Sequence, residues 1–99
     1  MFIDEVKEIA NKVAGPKEKV LSLAKEEITE MAKSGYKSKI FSPRDFATLA
    51  RKALDWQEPT LLQYLDFVEF TLKSFRQEGF SVYVSEYEDK SGFFHVVKW

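Results

Sequence analysis

The chain has 99 residues, a formal net charge of −1 and no cysteine. That length suits one domain with its own core, and the missing cysteine excludes a disulfide framework, a thiolate metal site or a thiol nucleophile. The near-zero charge gives no global attraction to nucleic acid or anionic membrane, and no apolar run approaches the roughly 20 residues that span a bilayer.

The N-terminus MFIDEVKEIANKV lacks the apolar core of a signal peptide. With the missing cysteine this predicts a cytoplasmic chain. Phe2, Ile3, Val6, Ile9, Ala10 and Val13 recur at helical spacing, so residues 1–15 are expected to form an amphipathic helix that packs on the rest or extends from it. Gly15-Pro16 is expected to end it. A second helix over 16–34 places Val20, Leu21, Ala24, Ile28 and Met31 on one stripe and stops at Gly35. YKSKIF reads as a short strand. Ser42-Pro43-Arg44-Asp45 then combines a cap, a first-position proline and an acid three residues after the cap. The helix it starts is expected to reach Leu54 and to bury Phe46, Leu49, Ala50 and Ala53.

A fourth helix follows Glu58-Pro59 and runs to Gly79, with Leu61, Tyr64, Leu65, Val68, Leu72 and Phe75 as its expected core face. FSVYVSEY and FFHVVKW flank EDKSG as a C-terminal β-hairpin, with Gly92 helping the return. Pairing Val84 with Val96 would group Phe80, Val82, Val84, Phe94 and Val96 on one face. Tyr83, Tyr87, Phe93, His95, Val97 and Trp99 would share the other. The expected fold is a single α+β domain of four helices and a small antiparallel sheet, in the order α-α-β-α-α-β-β.

From residue 16 onward, the stretch SPRDFATLARKALDWQEPTLLQYLDFVEF, then QEGF and a hairpin, resembles a winged helix-turn-helix domain in element order. The resemblance implies that helix 59–78 is a recognition helix and EDKSG a wing. The chain departs from that pattern in the reading helix, whose first half offers Gln63, Tyr64, Asp66, Phe67, Glu69 and Phe70. Carboxylates there repel phosphates, where Arg, Lys, Asn or Gln would be needed to read bases. In style the chain is also similar to short phage-encoded accessory proteins, which implies a regulatory binding role.

No catalytic set assembles. His95 is the only histidine, between Phe94 and Val96, and no phosphate loop, HExxH or calcium loop is present. No metal, cofactor or small-molecule substrate is expected, and the chain reads as a binding protein rather than an enzyme. Phe70 lies almost opposite the expected core stripe, with Phe67 at its boundary. Either another helix covers them or they anchor a partner. The hairpin carries more large apolar groups than one sheet face holds. Candidate protein-contact residues are therefore Phe67, Phe70, Tyr83, Tyr87, Phe93 and Trp99, facing a protein partner or a second copy. The alternative is nucleic-acid binding through Lys37, Lys39, Arg44, Arg51 and Lys52, in a 31–54 segment that sets six cations against Asp45 alone. The acidic 55–89 segment, eight carboxylates against Lys73 and Arg76, is the competing destination for those cations.

Overall fold

The computed structural model describes residues 2–99, apart from the side chains of residues 4–14. Three helices and three strands follow in the order α1 (Phe2–Lys33), β1 (Ser38–Phe41), α2 (Pro43–Ala53), α3 (Leu61–Gln77), β2 (Ser81–Glu86) and β3 (Phe93–Lys98). The fold is α+β, with one helix fewer than the sequence predicts. The expected break at Gly15-Pro16 is absent, because α1 runs through both residues. Proline removes one backbone donor, yet its fixed φ is itself helical, so the lost bond need not end the helix. The stripe expected at Val6, Ile9, Ala10 and Val13 lies outside the described side chains. Phe2 and Ile3 are exposed and do not cover the sheet.

Each helix end follows from its local residues. Ser42 caps α2 as expected: its Oγ accepts from the Asp45 N–H at 3.1 Å, while its own N–H donates to the Asp45 carboxylate at 2.9 Å. Thr60 and Gln63 form the same reciprocal pair before α3, so this helix starts two residues after Pro59. α1 and α3 both end in a Schellman stop. Gly35 (φ 89) and Gly79 (φ 100) take the left-handed conformation, and the Tyr36 and Phe80 N–H groups return to the Met31 and Phe75 carbonyls. α2 uses the same stop without glycine. Asp55 and Trp56 both have positive φ, at 53 and 67, and the Trp56 N–H donates to the Arg51 carbonyl at 2.6 Å.

The sheet is antiparallel in the order β1-β3-β2. Val84 pairs with His95 rather than Val96, and this one-residue difference regroups β3. Val82, Val84, Phe93, His95 and Val97 share a face with Lys39 and Phe41, while Tyr83, Phe94 and Val96 share the other with Ile40. The first face meets the helices. Phe41 and Val97 are fully buried with Val20, Ala24 and Ile28 of α1, with Phe46, Leu49, Ala50 and Ala53 of α2, and with Phe67, Leu72 and Phe75 of α3. Phe46 stacks on Phe41 at 5.3 Å and meets the His95 ring edge-on at 5.7 Å. A Lys25–Glu78 ion pair at 2.7 Å ties α1 to the residue that follows α3. In the hairpin turn the left-handed residue is Lys90 (φ 59), whereas Gly92 contributes its carbonyl to the Tyr87 N–H.

Candidate protein-contact surface

The buried face of α3 is Tyr64, Phe67, Val68, Thr71, Leu72 and Phe75, an i, i+3, i+4 series of buried and half-buried residues. This differs from the expected stripe by a rotation that brings Phe67 in and leaves Leu61 and Leu65 out. Phe67 is 6% exposed and belongs to the core, so it does not face a partner. Phe70 is half-buried beneath α1: the Lys17 ammonium lies 5.2 Å from its ring centre and 3.8 Å from the Asp66 carboxylate. The contact comes from Lys17, in the part of α1 that the sequence assigns to its second helix rather than to either expected cover, the N-terminal segment or α2.

What α3 leaves uncovered is its first turn and a half. Leu61, Leu62 and Leu65 are 73, 80 and 51% exposed. Leu65 lies four residues from Leu61 and three from Leu62, so the side chains adjoin. Tyr64, between them, turns inward and donates its hydroxyl to the Pro43 carbonyl at 3.3 Å, which fixes this end of α3 against the start of α2. The connection into the helix adds Trp56, 69% exposed. Large apolar side chains that adjoin and are exposed, as the three leucines are, are the kind of feature that marks contact sites. Trp56 carries a second signal, because a bulky residue in the left-handed region costs about 1–2 kcal/mol. The backbone of Trp56 completes the stop of α2, whereas its exposed indole adds little to the core. Trp56→Asn, which tolerates that φ, is expected to hold or raise the thermal midpoint in a melt.

The remaining predicted contact residues are dispersed. Tyr83 is exposed on the outer sheet face. Tyr87 leans on Phe94 with ring centres 4.8 Å apart, and Phe93 projects on the helix-facing side, 57% exposed. Trp99 packs edge-on against Phe80 at 6.4 Å and borders an open groove of about 490 Å³ with Ile28, Thr29, Ala32 and Lys33. The structure thus brings no single surface out of the six.

The basic candidates divide as well. Arg51 Nε donates to Glu58 Oε1 at 2.6 Å. Lys39 reaches over the Phe41 ring at 5.5 Å and lines a cleft of about 360 Å³ with Lys52 and Glu27. Burial raises the Glu27 pKa against the pull of those two lysines. Arg44 and Lys37 are exposed. Three of the five cations therefore face carboxylates, Glu58 from the acidic segment and Glu27 from α1, which dilutes any phosphate-binding field.

His95 belongs to the packing. Burial lowers its pKa from the ordinary 6.5, with Arg76 adding to the shift, and its Nδ1 is buried without a hydrogen-bond partner. The unfolded chain therefore binds the proton more tightly than the folded one. The stability that follows is present above pH 6.5 and declines as pH falls below it. Urea midpoints measured from pH 7.5 to 5.5 are expected to fall less steeply for His95→Phe than for the wild type.

Among the described residues no cluster of His, Asp or Glu forms a metal-ligand set, and no helix is long and apolar enough to cross a membrane. No protein-family model matches the chain, and neither a curated protein nor a solved structure matches it significantly.

Proposed function

We propose that this chain is a small non-catalytic binding protein that acts through protein–protein contacts, with Trp56, Leu61, Leu62 and Leu65 as its principal contact surface. The exposure of three leucines in the first turns of α3 carries the reading. Fully burying each would contribute about 1.5–3 kcal/mol, a gain the isolated domain forgoes. Asp55 and Glu69, close in sequence to this patch, favour a partner whose rim is basic. A regulatory or accessory role of the phage type agrees with such a surface.

The winged-helix frame is supported by the order α-β-α-α-β-β and by the β1-β3-β2 sheet. In that frame α3 is the contact helix, and this α3 presents leucines and carboxylates where a DNA reader presents cations. The frame used for protein contact accounts for both observations. Nucleic-acid binding through the 33–52 segment is the second reading, favoured by exposed Lys37 and Arg44. Affinity capture from host lysate, with and without nuclease, separates the two. A stoichiometric protein that survives nuclease and is lost with Leu62→Asp supports the first. Recovery that disappears with nuclease and with Lys37→Glu supports the second.

A further inference from the structure

The two edges of the sheet are treated differently by the sequence. β1 is short and carries Lys39 within it and Lys37 just before it, the usual protection against unwanted strand pairing. β2 carries a single charge, Glu86, at its very end. Ser81 to Ser85 contain no charge, proline or glycine, and Tyr83 and Val84 are 47 and 52% exposed on opposite faces. Among the described residues, the backbone of β2 has no hydrogen-bond partner outside its pairing with β3. An edge whose central residues are uncharged is a template for another strand.

We infer that the edge of β2 pairs antiparallel with β2 of a second copy, about a two-fold axis at Tyr83. The strand is self-complementary. SVYVS reads the same in both directions, so the axis sets Ser81 against Ser85, Val82 against Val84, and Tyr83 against itself. A two-fold interface requires such reciprocity of a single patch. The sheet register adds an independent argument. Ile40, Val96 and Tyr83 already form one cross-strand row on the outer face, and Val96 is 7% exposed although it lies outside the core cluster. Pairing at Tyr83 doubles that row into six adjacent apolar side chains, Ile40-Val96-Tyr83 and their symmetry mates, across a six-stranded sheet. Aromatic and β-branched neighbours of this kind are the stabilising unit of a sheet. This interface is separate from the α3 surface and stands without it.

Sedimentation velocity of the full chain over a micromolar concentration series tests the inference. The wild type is expected to dimerise, and Tyr83→Lys, which opposes two ammonium groups on the axis, to weaken the dimer at least about tenfold. Ser81→Lys with Ser85→Lys is expected to do the same. Ser81→Lys with Ser85→Glu sets opposite charges across the axis and is expected to retain the dimer. Because the chain has no cysteine, Tyr83→Cys gives a clean oxidative cross-link, and Ile40→Cys on the other edge should not. Leu62→Asp should leave all of this unchanged. A wild type that stays monomeric, a Tyr83→Lys variant that dimerises normally, or equal cross-linking from positions 40 and 83 would overturn the proposal.

Discussion

A chain carrying Leu62→Asp and Leu65→Gln is expected to fold as well as the wild type and to lose capture of the protein partner proposed for the α3 surface. Both leucines are exposed, so their removal creates no cavity, and surface changes of this kind usually stay within about 0.5 kcal/mol. Leu62 is the second residue of α3, whose first turn carries no acid. An aspartate there meets the positive end of the helix dipole and contributes about 0.3–1 kcal/mol. The thermal midpoint should therefore hold or rise slightly. Binding moves the other way: two anchors of a small interface, each contributing about 2 kcal/mol, correspond to roughly a thousandfold in affinity. A melt and a capture assay on the same preparation measure both effects. Unchanged capture would remove α3 from the interface, and a collapsed melt would place the leucines in the core.

Phe67→Ala gives the opposite pairing of results, though it lies only two residues beyond Leu65. Phe67 is 6% exposed and packs with Leu72 and Phe75 beneath α1 and α2. Truncating a buried phenylalanine costs about 3–5 kcal/mol, part lost transfer energy and part the cavity left behind. Against a total stability of roughly 5–15 kcal/mol, that lowers the midpoint of a domain this size by more than roughly 12 °C. Any loss of partner binding would then track the unfolded fraction in denaturant titrations. A variant that melts with the wild type and fails only in capture would show Phe67 to be a contact residue after all.

These two substitutions mark where sequence reasoning stopped. Periodicity located α3 but did not set its rotation. Leu61, Leu65, Leu72 and Phe75 fit a helical stripe about as well as Tyr64, Phe67, Thr71 and Phe75 do, because both sets keep the three- and four-residue spacing. The side that is buried depends on where α1 and α2 lie. The LL doublet in the first turn, and the glycine-free Asp55-Trp56 stop of α2, were the available signals for the exposed corner. Neither is an aromatic residue on the polar face of a helix. The same limit applied to the hairpin, where a one-residue change of register exchanged the partners of Val84 and reassigned His95 and Val97 to the helix side.

The sequence by itself determined the features that rest on short-range chemistry. Ser42 and Asp45 start α2 as their side chains dictate, Gly35 and Gly79 stop α1 and α3, and Phe46, Leu49, Ala50 and Ala53 are the buried face of α2. Each of these depends on residues within one or two turns of one another. Only the tertiary structure decided that α1 continues through Pro16, which side of α3 is dry, and which edge of the sheet is open. Those outcomes are set by elements distant in sequence that compete for the same apolar surface. The energies of the competing arrangements differ only when the whole core is assembled.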